Sequence, residues 1–519
     1  MDWNLTNPNI MKTRFKYVHF VGWIVLSQLA TWPVRGDDAS NTEVIKQLQE
    51  RIQELERKVQ ALQPNAPPPT NAPANTQLEA LDQKVRVLER KNEIGEEAAE
   101  AKAKEAPKLS VGENGFALSS AKGDFVLQLK AVLQVDSRTF FGDDGVSGNN
   151  GFLLRRARPI LQGTVFKDFD FLFVPDFGGT GSPQIFDAFV NYRYRPELQF
   201  QVGKFKAPIG LEQLLADKDL LFNERSMATD LVPNRDLGVQ LHGELFGGFV
   251  KYGAALLNGV GDAKNSNNAD FEDSPEFAGR LFFQPFKKGN LALQGIGFGI
   301  SGSYESIGTP GTGGLPSTTG GTLPGYATVG QQQFFAYNPA AVQGRTPVVV
   351  ADGQHWRVSP QAYYSYGPWS LLGEYVISDQ RVTRTVVAPL VSRELENKAW
   401  QIAAGWVITG EDFNFSGGVV PRRPFRPAQG DWGALQLVAR YDWLNIDHGA
   451  FDLFSDPTRS ASSAQEWSVG LNWYLNRNVR VLTSFSHTTF DGGGSGSTAP
   501  GVVTRNPENV LFTRVQLAF

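Results

Sequence analysis

From about Gly123 to its last residue, the chain repeatedly alternates apolar and polar residues with a period of two. In the segment 125–139, every second residue from Phe125 to Val135 is apolar, whereas the residues between them include Lys130 and Gln134. This pattern predicts a β-strand with one apolar and one polar face. The segment exceeds the roughly five or six residues of an ordinary strand and suits a tilted strand that crosses a membrane.

The same alternation recurs throughout the rest of the chain. Clear examples lie at 198–202, 237–245, 356–366, 400–408, 435–443, 467–475 and 511–519. About sixteen such strands follow one another, joined by alternately short and long connections, and the last strand is apolar on one face up to Phe519. We therefore predict an all-β fold, an antiparallel transmembrane β-barrel over residues 109–519 with an aqueous lumen. A soluble sandwich is the alternative.

Different patterns precede the strands. Residues 1–36 combine a basic start near Met11 with a short apolar run, which predicts a cleaved signal peptide rather than a membrane anchor. Residues 37–63 place Ile, Leu and Val at alternating spacings of three and four, which predicts an α-helical coiled coil. A Pro-rich linker, 64–76, then leads to a second helical or coiled-coil segment, 77–108. For the coiled coil, a solvated helix with accidental spacing and a tether to the cell wall remain alternatives.

Composition excludes several classes of function. The 519 residues include no cysteine, which rules out disulfides and thiolate sites, and the net charge of −4 argues against a nucleic-acid partner. The five histidines show no recognisable spacing to a nucleophile, so we predict neither an enzyme nor a cofactor. The Asp/Asn-rich segment 261–273 carries oxygen ligands that suit Ca²⁺, but we interpret it as a solvated loop and predict no metal site.

Charged residues on the polar strand faces should point into the lumen and set its selectivity. The candidates for pore lining and anion binding are Lys130, Arg156, Arg158, Arg193, Lys204, Lys206, Arg235, Arg280 and Arg440. The acids predicted to point inward are fewer, namely Asp136, Asp187, Glu244, Glu374 and Asp442. This excess of basic residues favours anions, although each arginine could instead pair with an acid and brace the wall.

One long connection differs from an ordinary surface loop. The strand pattern fails after Lys206, where Pro208 and Gly210 interrupt it. The residues that follow are too apolar for a solvated loop, and the stretch Leu211–Leu221 could form a short helix. We predict that the segment around 206–235 folds into the lumen and narrows it.

Several motifs, in this order, resemble the phosphate-selective porin O and P family. They are Leu154-Arg155-Arg156-Ala157-Arg158, Asp187-Ala188-Phe189-Val190-Asn191-Tyr192, Gly203-Lys204-Phe205-Lys206-Ala207-Pro208-Ile209-Gly210, Arg235-Asp236-Leu237-Gly238 and the C-terminal strand. The resemblance covers roughly residues 110–519. It implies a homotrimeric, sixteen-stranded outer-membrane porin with an inward-folded third loop and an anion-selective channel. Phosphate or pyrophosphate as the substrate is a weaker implication than anion preference. A general diffusion porin and a barrel that anchors the envelope are the alternatives.

Overall fold

The computed structural model describes residues 53–54, 57, 74–142, 148–179, 181–266, 274–287, 291–308, 323–339, 341, 344, 347–385, 390–451, 453–495 and 502–519. The predicted signal peptide, 1–36, lies outside the described residues, as do nearly all of the predicted coiled coil and most of the linker.

Among the described residues, one long helix, α1, spans Ala74–Glu105. It begins within the predicted linker and covers most of the second predicted helical segment. Asp82 and Arg86, one turn apart, form an exposed ion pair at 3.0 Å that favours the helical conformation. Pro107, just beyond the end, lacks the amide hydrogen needed to continue the helix. None of the described helices is long and apolar enough to span a membrane. Pairing of α1 in a coiled coil stays a prediction.

The rest of the described chain is mostly β-sheet. In chain order the strands are β1 (Lys108–Gly112), β2 (Gly115–Ser119), β3 (Val126–Phe141), β4 (Gly151–Val165), β5 (Phe169–Asp176), β6 (Gln184–Arg195), β7 (Leu198–Lys206), β8 (Arg235–Leu245), β9 (Val250–Leu257), β10 (Glu276–Phe283), β11 (Ile296–Ile307), β12 (Gly325–Ala327), β13 (Gln333–Ala336), β14 (Val348–Tyr366), β15 (Trp369–Thr385), β16 (Val391–Val407), β17 (Phe413–Asn414), β18 (Gly418–Val419), β19 (Ala434–Asn445), β20 (Ala461–Tyr474), β21 (Val479–Ser495), β22 (Val502–Thr504) and β23 (Glu508–Ala518).

Sixteen of these described strands form a closed antiparallel barrel: β3 to β11, β14 to β16, β19 to β21 and β23. The last strand closes the wall by pairing with the first, from Asn509 opposite Phe141 to Ala518 opposite Val132. Below that point β2 takes over and pairs with the start of β3. Closure removes the unpaired strand edges that an open sheet would leave in lipid. The predicted strand number and barrel are confirmed.

The wall is apolar outside and polar inside, the reverse of a soluble protein. On β3, Asp136 is 0% exposed whereas Val135 beside it is 39% exposed. On β23, Arg514 is 1% exposed and Val515 is 52% exposed. The same alternation that the sequence shows therefore places apolar side chains where lipid would contact them. Two sheets packed around a dry core, the sandwich alternative, would bury the opposite face.

The connections differ in length between the two ends of the barrel. We call the end that carries Phe519 the base and the opposite end the top. The short connections at the base lie at 166–168, 196–197, 246–249, 367–368 and 475–478. The segment 408–433 is the long connection at the base, and it contains the pair β17–β18, which we call the basal hairpin. At the top, L3 (207–234) joins β7 to β8, and L5 (308–347) joins β11 to β14 and contains β12–β13.

L3 is largely buried and packs in two directions. One buried cluster joins it to the β12–β13 hairpin of L5 and includes Ile209, Met227, Leu231, Tyr326 and Phe335. Another joins it to the basal hairpin and includes Leu211, Leu221, Phe222, Phe413 and Phe415. The stretch 211–221 forms turns rather than the short helix that the sequence allows, and a 3-10 turn lies at Met227–Leu231. Its packing partners, rather than helix propensity, determine the path of L3.

Polar groups of the wall hold the L3 backbone in place. The Glu374 carboxylate on β15 accepts hydrogen bonds from the amides of Leu211, at 2.6 Å, and Glu212, at 3.2 Å. From the other side, Arg440 donates to the Glu224 carbonyl at 3.0 Å and Arg480 to the Leu220 carbonyl at 3.1 Å. These bonds satisfy backbone groups that an irregular loop would otherwise bury unpaired.

Candidate pore-lining site

Two cavities lined by described residues lie on either side of L3. The one toward the top has a volume of about 310 Å³, and we call it the arginine chamber. The basal chamber, of about 700 Å³, lies between L3, the basal hairpin and the lower part of β3 and β4. Asp217 lines the first chamber and Lys218 the second, so this point of L3 separates them.

The arginine chamber has more basic than acidic side chains in its wall. Its basic residues are Arg155, Arg156, Arg158, Arg225 and Arg235, and its acidic residues are Asp217, Glu224 and Asp230. The basal chamber is closer to balance, with Lys130, Lys218, Arg422, Arg477 and Arg480 facing Glu113, Asp219, Glu411 and Asp412. A positive excess in a confined cavity lowers the energy of an anion within it.

Two β-bulges bring extra side chains into the arginine chamber. In β4, Gln134 of β3 pairs with Arg156 and Val135 pairs with Leu154, so Arg155 is an additional residue. In β6, Val174 pairs with Asp187 and Pro175 with Ile185, so Phe186 is additional. A bulge reverses the alternation locally and can turn two consecutive side chains to one face. Arg155 and Phe186 thus line the chamber beside Arg156 and near Asp187.

Glu224 of L3 is the first of two acids that gather arginines in the arginine chamber. Arg155 donates to both of its carboxylate oxygens, at 2.8 and 3.0 Å, and Arg514 donates to one of them at 2.5 Å. Arg514 also forms a bidentate pair with Asp136 at 2.6 and 2.7 Å. Burial alone would raise the pKa of Glu224, but the Arg155 and Arg514 guanidinium groups hold it well below its ordinary value. The carboxylate is therefore ionised and engaged.

Asp217 of L3 is the second acid that gathers arginines. Arg225 donates to it at 2.5 Å, Arg156 lies 3.5 Å away, and Arg158 donates to its other oxygen. Arg158 is shared, because its Nε also donates to Asp176 at 2.6 Å. Although burial would raise the pKa of Asp217, the surrounding guanidinium groups, Arg156 foremost, hold it well below its ordinary value.

Arg235, like Arg156, is held less tightly by carboxylates than Arg155, Arg158 and Arg225. Its Nε and Nη2 lie 3.5 and 3.4 Å from the two Asp187 oxygens, longer than the roughly 2.7–2.9 Å of a strong charge-assisted hydrogen bond. Its Nη1 donates to Asn234 at 2.8 Å, and its guanidinium lies 4.5 Å from the centre of the Phe186 ring. Arg235 therefore gives up no close carboxylate contact when it binds an anion.

Asp230 of L3 lies under L5. Its carboxylate accepts a hydrogen bond from the Ala327 amide at 2.9 Å. Burial between the two loops raises the pKa of Asp230 to about 7, and the nearby Asp262 carboxylate adds to the increase. Near neutral pH this acid carries only part of a negative charge, which leaves the excess of positive charge in the chamber larger than a count of residues gives.

Comparison with known proteins agrees with this architecture. A sequence model of the family described as phosphate-selective porin O and P matches residues 127–519, more than half of the chain. The chain belongs to the phosphate-selective porin O and P family. The predicted resemblance is confirmed, and the family and the fold support an outer-membrane porin channel. Comparison with curated protein sequences found no match.

Several solved porin structures have a similar fold. OmpT, an outer membrane protein of Vibrio cholerae, is 10% identical, with a TM-score of 0.46 over 76% of this chain and 98% of that chain. The outer membrane channel DcaP of Acinetobacter baumannii is 12% identical, with a TM-score of 0.47 over 78% of this chain and 99% of that chain. The anion-selective porin from Comamonas acidovorans is 11% identical, with a TM-score of 0.46 over 76% and 100%.

The predicted pore-lining residues of this porin fall in different places. Arg156, Arg158 and Arg235 meet in the arginine chamber, and Lys130 lines the basal chamber. Arg440 is buried among Asp442, at 3.1 Å, and the carboxylates of Glu466 and Glu212. For Arg440 the wall-bracing alternative describes the observed contacts, since its charge is shared among three acids.

The remaining four candidates line neither chamber as far as the described residues show. Lys206 donates to the carbonyls of Gln213 and Leu215 at 2.8 and 2.7 Å, and Lys204 donates to the Ser266 carbonyl at 2.6 Å. Both lysines thus fasten loops. Arg193 lies near the base and pairs with Asp170 at 2.8 Å, and Arg280 donates to Gln361 at 3.0 Å. Their role as anion sites stays a prediction.

The period-two pattern did not identify several residues at the centre of the arginine chamber. Arg155 and Phe186 occupy bulges, where alternation assigns the wrong face. Asp217, Glu224 and Arg225 belong to L3, which has no strand period from which to assign a direction. The paired residues Arg155-Arg156 are the one sequence signal that could have indicated a bulge, because neighbouring arginines cannot both face inward on a regular strand.

A group of polar residues in the wall has the connectivity of a catalytic triad but is buried. His355 Nε2 is 3.1 Å from the Ser378 hydroxyl, and His355 Nδ1 is 2.7 Å from Glu305. Ser378 is 0% exposed, and its hydroxyl donates to Asp262 instead. These contacts of Ser378 and His355 connect β11, β14 and β15 and so support the wall. Among the described residues, no His, Asp or Glu cluster has metal-binding geometry, and the segment 261–273 is only partly described.

Proposed function

We propose that this porin is an outer-membrane channel that prefers anions, with phosphate-type oxyanions as its substrates. In this proposal the chain is exported by the signal peptide 1–36, contacts outer-membrane lipid through its apolar wall and assembles as a homotrimer. The coiled coil, 37–63, adds a further contact, for which the cell wall is the candidate partner.

The proposed preference for anions rests on the arginine chamber. Five guanidinium groups meet there, and the acids among them are Asp217, Glu224 and the half-buried Asp230. Guanidinium groups present paired N–H donors that match the oxygens of a phosphate-type anion. The long contacts of Arg235 with Asp187 leave it able to exchange one partner for another. A channel needs binding of this intermediate strength, because an ion that is held too firmly does not leave.

Phosphate is favoured over a simple halide by geometry rather than by charge alone. Arg158 and Arg235 approach the same ring, Phe186, so their donors lie in one part of the chamber. A tetrahedral oxyanion can accept hydrogen bonds from more than one guanidinium at once, whereas chloride offers no such fork. The name of the family agrees with this substrate class.

The test is ion selectivity of the purified porin in a planar bilayer. We expect the reversal potential in a KCl gradient to show that chloride permeates more readily than potassium, and phosphate to block the chloride current. Replacing Arg235 by Gln should weaken the phosphate block by about tenfold, the effect of one charged hydrogen bond. It should also reduce the preference for chloride.

Arg280→Gln is the matched control. Arg280 is also a barrel arginine stacked on a phenylalanine, at 4.4 Å from the Phe282 ring, but it is not among the described residues that line the arginine chamber. Its replacement should leave the phosphate block within about twofold of the wild type, since no chamber donor is lost. A cation-selective wild type, or a phosphate block that Arg235→Gln does not change, would overturn the proposal.

The same recordings, together with a cell-wall binding assay, separate the proposal from its two alternatives. A general diffusion porin would conduct without block by phosphate. A barrel whose main role is to anchor the envelope would bind purified cell wall through residues 37–105, and removal of that segment would change envelope attachment without changing conductance. Chemical cross-linking of the detergent-solubilised protein tests the trimer.

A further inference from the structure

Phe186 occupies an unusual position for an apolar residue. It is the additional residue of the β6 bulge, and its side chain lines the arginine chamber, whereas Ile185 before it is 37% exposed on the outer wall. The neighbouring Asp187 reaches Arg235. The bulge thus places an aromatic ring inside a chamber whose other wall groups are mainly charged or polar.

The ring contacts two of the five arginines. The Arg158 guanidinium carbon lies 4.0 Å from the ring centre, and that of Arg235 lies 4.5 Å from it. The negative face of an aromatic ring attracts a cation, and a stacked guanidinium keeps the N–H groups at its edge directed away from the ring. Phe186 can therefore hold two like charges close together, although the Nε and Nη1 of Arg158 already donate to Asp176 and Asp217.

An aromatic ring holds the two arginines close together without adding negative charge. Carboxylates also hold arginines of the chamber, as Glu224 holds Arg155 at 2.8 Å and Asp176 holds Arg158 at 2.6 Å. Each such pairing cancels one positive charge and occupies donors that an anion would use. Arg235 has only long contacts with Asp187, so the ring supplies a substantial part of what positions it.

We propose that Phe186 is the specificity-determining residue of the arginine chamber: it positions Arg158 and Arg235 as a pair that binds a multi-oxygen anion in preference to a halide. The inference rests on the proposed function and adds the residue that separates oxyanion recognition from simple anion preference. Phe186 itself does not contact the anion. It acts as a positioning residue through the two guanidinium groups.

The experiment measures two quantities on the full-length protein in planar bilayers: the phosphate concentration that halves the chloride current, and the permeability ratio of chloride to potassium. Phe186→Leu keeps the charge of the chamber but removes the ring. We expect the half-blocking phosphate concentration to rise about fivefold or more, as expected from the loss of two cation–π contacts. The permeability ratio should stay within about twofold of the wild type, because no charge changes.

Three further variants make the result decisive. Phe186→Trp should restore the phosphate block, since it returns an aromatic face. Phe186→Glu should still hold both arginines but weaken the phosphate block and the chloride preference together, because it adds a carboxylate. Phe282→Leu removes the ring below Arg280 and should change neither quantity.

Distinct outcomes separate this inference from the proposed function. If the wild type is not anion-selective, the proposed function fails. If the wild type is anion-selective and blocked by phosphate but Phe186→Leu behaves like it, only the role of Phe186 is overturned. A uniform loss of conductance, block and heat stability in Phe186→Leu without rescue by Phe186→Trp would also overturn it, since that pattern indicates structural support alone.

Discussion

The arginine chamber and the group around Arg357 are built from the same kinds of side chain in opposite proportions. In the chamber, five arginines meet three acids beside a cavity. In the second group, which we call the Arg357 cluster, Arg357 and His355 are surrounded by Asp262, Glu276 and Glu305. Arg357 donates to Asp262 at 2.7 Å and to Glu276 at 2.6 Å.

Exposure separates the two groups less than charge does, since the Arg158 and Arg235 side chains are only 6% and 5% exposed. The Arg357 side chain is 0% exposed, and its guanidinium also donates to the Val260 carbonyl at 2.7 Å, so its hydrogen bonds fasten the loop after β9 to the wall. The Arg155 side chain is 22% exposed and borders the chamber. Selectivity therefore depends on which charges border the accessible space, whereas the total number of inward arginines is a poor guide.

The largest expected effect is on the buried cluster. Replacing Arg357 by Met should lower the free energy of unfolding by about 3–5 kcal/mol, because Asp262 and Glu276 would be left buried without their cation. Urea titration of the detergent-solubilised protein, followed by tryptophan fluorescence, measures this change. Arg155→Met is the matched control and should cost about 1 kcal/mol, since Glu224 keeps Arg514. Equal losses in the two variants would contradict the distinction between the two groups.

We expect a smaller effect on stability from the titration of Asp230, which lines the arginine chamber and lies under L5. The pKa of Asp230 is raised to about 7 from an ordinary value of 3.8. The folded state therefore binds more protons than the unfolded state between these values, and stability decreases as pH rises toward 7. We expect the wild type to lose more stability than Asp230→Asn between pH 5 and pH 8, measured by the urea midpoint at each pH. Parallel pH profiles for the two proteins would show that Asp230 is not the titrating group.

The smallest effect should come from Arg193, a residue that alternation assigned to the pore. The Arg193 and Asp170 side chains are 45% and 30% exposed near the base, and their pair should contribute less than about 1 kcal/mol. Arg193→Ala should leave both the urea midpoint and the reversal potential close to those of the wild type. A clear drop in chloride selectivity would mean that the path of the ion also passes the base wall near Arg193.

The sequence predicts the wall of this porin well because a membrane barrel repeats one rule on every strand. Apolar residues such as Val135 and Val515 face outward, and polar ones such as Asp136 and Arg514 face inward, so a period of two is sufficient. Closure of the barrel follows from the same reasoning, since an open edge is not tolerated in lipid.

The arginine chamber departs from the period-two rule and is therefore harder to predict. Its central residues lie at departures from the rule, Arg155 and Phe186 at bulges and Glu224 in an irregular loop. Lys206 carries a charge and follows a strand, yet it binds loop carbonyls instead of lining a chamber. Which charge pairs with which is decided by contacts between segments that are distant in sequence, and a pattern within one segment carries no information about them.

The long reach of the contacts that anchor L3 has a consequence for the order of folding. Arg514 donates to the Asn223 carbonyl across a separation of 291 positions, and Arg440 and Arg480 bind neighbouring L3 carbonyls. These partners are synthesised long after L3, and contacts between such distant segments form late. The barrel itself closes only when β23, the strand that carries Arg514, pairs with β3. L3 therefore gains this anchor at the step that closes the cylinder, and a chain that stops before β23 would lack both the seam of the wall and one support of its inner loop.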